Sequence, residues 1–141
     1  MKNDKTHTTN YFNTFIEVAE DSPAAKGEMP PVKGDNKTAA NIQFDMLIDQ
    51  PYKHTSDDVL FQVHADKNKI GAKARKEERE KFFSKGQPCF RASPLTKRYG
   101  WGAHFDEEGK MALYALESAQ YKKLAADKKL QHVKAMRSKK A

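Results

Sequence analysis

The 141-residue chain has a single cysteine, Cys89. One thiol excludes a disulfide framework and any zinc site built from four thiolates. Long apolar runs are missing as well. Nothing approaches the roughly 18 residues of a membrane span, and residues 1–10 lack the apolar core of a signal peptide. These absences lead to the expectation of a soluble, cytoplasmic protein. Aliphatic side chains are scarce: Leu, Ile, Val and Phe make up 24 of 141 residues, or 17%, below the roughly 20% at which disorder becomes a serious candidate. Disorder also calls for a large net charge, and +7 is modest. Eight Phe, five Tyr and one Trp supply the large buriable surfaces that a disordered chain lacks. A small aromatic-rich core with polar margins is therefore expected.

The charge is unevenly placed. Residues 1–120 carry 18 basic and 18 acidic side chains. Residues 121–141 carry eight basic ones (Lys122, Lys123, Lys128, Lys129, Lys134, Arg137, Lys139 and Lys140) against Asp127 alone. The whole excess belongs to the C-terminal end. The chain divides accordingly into a flexible segment 1–10, one domain over 11–127 and a basic segment 128–141.

Along the domain, Tyr11–Val18 reads as a strand with Phe12, Ile16 and Val18 on one side. Ala19–Lys37, with three Pro and two Gly, reads as one long connection docked through Met29-Pro30-Pro31-Val32. Ala40, Phe44, Leu47 and Ile48 follow helical spacing over Thr38–Asp49, and Pro51 stops propagation. Val59–His64 alternates like a strand. Ala72–Ser84 reads as a charged helix with Lys73/Glu77, Lys76/Glu80 and Glu77/Lys81 pairs, closed by Gly86. Pro88–Ala92 reads as a short strand, and Ser93-Pro94 as the cap and first residue of a short helical turn ending at Gly100.

The sharpest expectation concerns Trp101–Leu116. A three-residue loop, Glu107-Glu108-Gly109, pairs Phe105 with Met111, Ala103 with Leu113 and Trp101 with Ala115, so that both apolar sets share one face. Gly109 then occupies the left-handed position of a G1-bulge hairpin. His104 faces Ala112, and Tyr114 covers Gly102. Glu117–Ala126 reads as a helix, and Leu130–Arg137 fits a strand better than a helix. The sum is a single α+β domain, a mostly antiparallel sheet with helices packed to one side.

The densest chemistry lies between Cys89 and His104. Arg91, Ser93, Lys97 and Arg98 surround a helix start, where unpaired backbone N–H groups suit phosphate or carboxylate. The plainer alternative is a capped connector with solvated basic side chains. Cys89 and His104, with His64 nearby, are weighed as a nucleophile–base pair, against the ordinary role of a lone cysteine as a small hydrophobe. No metal is expected: the five histidines show no His-x-x-x-His spacing. Glu17, Glu20, Asp21, Asp57 and Asp58 are weighed as cation ligands, with Thr55-Ser56-Asp57-Asp58 more simply capping a turn. No cofactor is expected either, since no Gly-x-Ser-x-Gly elbow, Walker-type loop or Gly-x-Gly-x-x-Gly occurs and Gly100-Trp101-Gly102 alone is too weak.

Several segments carry a family pattern: Asn13-Thr14-Phe15-Ile16-Glu17-Val18-Ala19-Glu20-Asp21-Ser22-Pro23, Pro51-Tyr52-Lys53, Asp57-Asp58-Val59-Leu60-Phe61, Arg91-Ala92-Ser93, Lys97-Arg98-Tyr99-Gly100-Trp101-Gly102-Ala103-His104 and Ala135-Met136-Arg137-Ser138-Lys139. From about Tyr11 to Lys140 the chain resembles domain-of-unknown-function family 6157, a family of short, mainly bacterial proteins. The family pattern often has a Cys where this chain has Ser22, which argues against essential thiol chemistry there. The resemblance implies a stand-alone domain in a bacterial cytosol, and no reaction, substrate or cofactor.

The residues themselves favour a non-enzymatic binding module for an anionic partner, nucleic acid or a phosphorylated ligand, contacted by Arg91, Ser93, Lys97 and Arg98. The basic tail adds sequence-indifferent charge. The alternative is a small-ligand-binding protein or enzyme using His64, Cys89, His104 and Tyr114 on the sheet face.

Overall fold

The structure is a computed structural model that describes residues 7–32 and 37–137. The ends of the expected flexible and basic segments, residues 1–6 and 138–141, lie outside the described residues. So does part of the long connection, residues 33–36. Among the described residues, four strands form one sheet: β1 (Thr14–Glu17), β2 (Trp101–Phe105), β3 (Met111–Ala115) and β4 (Gln131–Lys134), in the order β3-β2-β1-β4. β1–β2 and β2–β3 pair antiparallel, while β4 runs parallel to β1. Among the described residues, five α-helices accompany the sheet: α1 (Ala39–Asp49), α2 (Ser56–Lys67), α3 (Arg75–Phe82), α4 (Pro94–Lys97) and α5 (Ala119–Ala126). The fold is α+β with a mostly antiparallel sheet.

The hairpin has the register that the residue count requires: Phe105 opposite Met111, Ala103 opposite Leu113 and Trp101 opposite Ala115. Asp106 N–H donates to the Lys110 carbonyl, and Gly109 sits at φ +81°. The shared face, with Ile16 from β1, meets Phe44, Leu47, Val59, Phe90 and Leu95 in the main core. α3 packs outside α2 through Phe61, Ala65 and Phe83. α5 takes the opposite face of the sheet, where Phe15, Val18 and Tyr121 form a second cluster.

Two expected strands are something else. Val59–His64 lies inside α2, which opens on a capping box: Thr55 Oγ1 accepts from Asp58 N–H while the Asp58 carboxylate accepts from Thr55 N–H. The strand-like alternation arises because α2 is buried on more than one side. Val59 points into the main core, while Phe61 and Ala65 face α3. Pro88–Ala92 contains a single 3₁₀ turn, Phe90–Ala92. Ile16 enters the core as expected. Val18, however, turns toward α5 beyond the end of β1, and Phe12 is 53% exposed over Gly109.

The remaining differences are local. α3 ends at Phe82, so Gly86 lies beyond its cap, and its ion pairs are Arg79–Asp58 and Lys81–Glu78 in place of the expected i, i+4 set. The long connection docks through buried Pro30, whose carbonyl accepts from Asn41 Nδ2 at 2.9 Å, while Met29 and Val32 are exposed. Thr9, within the segment expected to be flexible, is buried: its N–H and hydroxyl both donate to Asp57 Oδ1 at 2.7 Å. Of the acids weighed as cation ligands, Asp57 is therefore committed to Thr8 and Thr9, Glu17 faces His132 and Glu20 pairs with Lys134.

Gly102 marks the tightest approach in the sheet. A Cβ there would lie 2.6 Å from the Phe15 ring and 2.7 Å from the Tyr121 ring, both immobilised in the second cluster. Gly102→Ala is expected to cost about 1–3 kcal/mol through overpacking, read as a lowered urea midpoint. Gly71→Ala, where an added Cβ meets nothing within 4 Å, is expected to stay within about 0.5 kcal/mol of the parent.

Candidate functional site

Misreading α2 as a strand also misplaced the candidate polar cluster. His64 and Cys89 come together in the helical layer, whereas His104 and Tyr114 lie on the other face of the sheet. The Cys89–His104 pairing is therefore absent, because strand alternation sends His104 toward the α5 side.

The first group lines a cleft of about 330 Å³ between α1, α2 and the Gln87–Pro94 segment. α2 contributes Leu60, Val63, His64 and Lys67, spaced i, i+3, i+4, i+7, which is one stripe of a helix. Phe82, Pro88, Ala92 and Pro94 complete an apolar lining, with Gln43, Asn68, Gln87, Cys89 and Ser93 supplying polar atoms. Ser93 caps α4: its Oγ accepts from Leu95 N–H at 3.1 Å and donates to Gln43 Oε1 at 2.7 Å. That second bond orients the Gln43 amide, and Gln43 Nε2 has no partner among the described residues. Since no fully buried side-chain polar atom among them lacks a partner, Nε2 keeps some exposure, on a residue that lines the cleft. Asn68 Nδ2 donates to the His64 carbonyl at 2.9 Å and approaches His64 Nδ1 at 3.3 Å. An amide N–H facing Nδ1 places the proton of the neutral ring on Nε2. The imidazole lies against Phe82, with ring centroids 4.6 Å apart.

Cys89 Sγ is 3.3 Å from Tyr11 Oη. Burial, reinforced by that contact, pushes the Tyr11 hydroxyl up to about 12, so it stays protonated and does not act as a base toward the thiol.

The four residues expected to bind an anion face different environments. Ser93 is buried in the cleft wall. The Arg91 Nε donates to the Lys134 carbonyl at 2.7 Å, and the Arg91 carbonyl accepts from Met136 N–H, which fastens the C-terminal strand. Arg98 borders a separate cleft of about 400 Å³ with Pro31, Thr38, Ala40 and Tyr99. Lys97 is the last residue of α4. That turn uses its own first donors: Leu95 N–H reaches Ser93 Oγ, and Thr96 N–H reaches the Ser93 carbonyl.

On the far face of the sheet, Tyr52 Oη lies 2.7 Å from both His104 Nδ1 and Tyr114 Oη. Burial raises the Tyr52 hydroxyl well above the usual phenol range and lowers His104 below its ordinary value. His104 Nδ1, Tyr52 Oη and Tyr114 Oη form one hydrogen-bonded chain. Tyr52 holds φ +61°, and its N–H donates to the Met111 carbonyl at 2.7 Å. The triad thus anchors the α1–α2 connection to the sheet edge. Sequence reading missed Gln43, Lys67, Tyr11 and Tyr52. The one available signal was Thr55-x-x-Asp58, a capping-box spacing that makes α2 a helix and places His64 and Lys67 on one stripe.

A family model described only as a family of unknown function, DUF6157, matches residues 6–141. The chain belongs to that family. No curated protein matches it, and no solved structure does. In this DUF6157 member, no helix among the described residues is long and apolar enough to cross a membrane.

The His104 triad sets a pH dependence. Burial disfavours the imidazolium in the folded chain, partly offset by the charges of Asp106 and Asp127, while the unfolded chain keeps the ordinary value of 6.5. As pH falls through that value the unfolded state takes up the proton first, so stability is full above it and declines below it. Chemical denaturation from pH 7.5 to 5 is expected to show this decline, and His104→Asn, which keeps an acceptor and cannot titrate, is expected to flatten it.

Proposed function

We propose that this chain is a small-ligand-binding module whose site is the cleft between α1 and α2. The observation that carries the reading is the union of an apolar lining with Gln43, a 5%-exposed residue whose amide is held through its oxygen by Ser93 and leaves its Nε2 without a partner among the described residues. Small-molecule sites have this character: concave, mostly apolar, about 300 Å³ or more, with a few fixed polar groups. The volume lies at the small end of that range and suits a compact molecule. Cys89 lies in the wall and is the only thiol, so it reports occupancy without being asked to react. Scarcity of cysteine also suits the cytoplasm, where thiols stay reduced. The test is alkylation of Cys89 by iodoacetamide in the folded protein. A small aromatic such as indole is expected to slow alkylation in the parent chain. In Ala92→Phe, which fills the cleft, the slowing is expected to vanish while the circular dichroism spectrum is retained. Unchanged alkylation at saturating indole overturns the reading.

A second reading rests on a different observation. Lys122, Lys123, Lys128, Lys129, Lys134 and Arg137 are all exposed, and among the described ion pairs only Lys134 has a partner, Glu20. This surface suits a polyanion such as nucleic acid, held through phosphates without regard to sequence. Fluorescence anisotropy with a labelled single-stranded 20-mer is expected to show affinity that falls linearly in log–log form with salt. The combined substitution Lys122→Glu, Lys123→Glu, Lys128→Glu and Lys129→Glu is expected to lower affinity at least about tenfold. Binding that is absent, or indifferent to salt, removes this reading.

A further inference from the structure

We propose that the cleft selects apolar monoanions: a compact hydrocarbon or aromatic body carrying one carboxylate. This rests on the cleft being a ligand site, and adds the chemistry of what it takes. Among the described residues no Asp or Glu lines the cleft, and its one formal charge is Lys67. Lys67 has no ion pair among the described residues, although charged side chains are abundant elsewhere on the chain.

The arrangement along α2 is directional. Leu60 and Val63 supply the apolar part of the stripe, and His64 and Lys67 follow in the last turn. A ligand lying along this stripe has its hydrocarbon against the first two residues and its head group at the cationic end. The lining groups without a partner among the described residues include three donors, Lys67 Nζ, Gln43 Nε2 and the His64 Nε2–H set by Asn68, beside two acceptors, Asn68 Oδ1 and Gln87 Oε1, so the sign of the preference is set by the charge of Lys67. A carboxylate accepts from such donors and donates to none. A cationic ligand would meet Lys67 with no compensating acid, and a polyhydroxylated one would leave most of its hydroxyls against apolar walls.

Because Lys67 is exposed, its charge is screened and the expected discrimination is modest. A partly solvated ion pair corresponds to about three- to tenfold in affinity. The experiment is a titration of the full chain followed by amide NMR, using matched acids and amides: 3-phenylpropanoate with 3-phenylpropanamide, octanoate with octanamide, and indole-3-acetate with indole-3-acetamide. The expected result is that both members of at least one pair shift the Gln43 side-chain amide and the Leu60–Lys67 backbone signals, with the acid about three- to tenfold tighter. Lys67→Met should reduce the acid-to-amide affinity ratio to about one, and 0.5 M NaCl should shrink it in the parent chain. Equal affinities, or tighter amides, overturn anion selection and leave the cleft as a neutral apolar site. Acids that shift only α5 and β4 signals also overturn it, placing recognition on the basic surface. If neither acids nor amides move any signal of the cleft, the site reading fails together with this inference.

Discussion

Everything in this fold is arranged around a four-residue strand buried on both faces. β1 lies between β2 and β4, with Ile16 sealed into the helical layer and Phe15 sealed beneath α5, both with no exposed surface. A strand in that position demands cover on two sides, and the chain supplies it from distant segments. Tyr121 of α5 packs edge-on to Phe15 at 5.0 Å and accepts from Val18 N–H at 2.9 Å, tying the helix to the backbone just past the strand. Those two rings leave no room at Gly102, so the requirement for glycine in the middle of β2 follows from the placement of β1. On the other face, Ala19 N–H reaches the Thr96 carbonyl, fixing α4 and with it Ser93. The cleft wall is set, two steps removed, by the same strand.

The link from backbone to site runs through hydroxyl geometry. A serine at a helix start accepts from a backbone N–H, and its own proton must go elsewhere. Here it goes to Gln43, and this decides which end of a nearly buried amide is left without a partner among the described residues. Ser93 was expected to offer open N–H groups to an anion. Instead the cap satisfies those donors locally and passes its directionality to a side chain 50 residues earlier. What lines the cleft is a nearly buried amide in an apolar wall, a different surface from a phosphate nest.

Where the sequence was legible, a parity argument or a local cap decided the outcome. The hairpin register came from counting residues between two alternating sets, and only one loop length put both sets on one face. Ser93 announces its helical turn by a side-chain cap that depends on neighbours within three residues, and the structure shows Thr38 and Ser118 capping their helices in the same way. Failure came where burial was not one-sided. α2 carries apolar side chains toward the main core, toward α3 and into the cleft, so it lacks the single stripe that marks an amphipathic helix and imitates a strand. The candidate site inherited that error: His64 was placed on a sheet with His104, although a helix carries it to the opposite side of the molecule. Tyr52 escaped notice for another reason. A tyrosine at φ +61° is held there by hydrogen bonds to His104, Tyr114 and Met111, all remote in sequence, and nothing local requires it.

The basic end of the chain combines two physical demands that composition alone cannot separate. β4 is an edge strand, and edges carrying lysine resist pairing with another sheet. Arg91 strengthens that protection by donating to the Lys134 carbonyl, and the Arg91 carbonyl takes Met136 N–H, so part of the free edge is already engaged. Lys134 is moreover neutralised by Glu20. The charges on β4 are thus explained by the sheet itself and argue little for a partner. Lys122, Lys123, Lys128 and Lys129 guard no edge and are exposed on α5 and the turn that follows it. With Arg137, which is likewise exposed and has no ion pair among the described residues, these four carry the charge open to a polyanion, which is why charge reversal on α5 and the turn after it, and not on the strand, is the discriminating substitution.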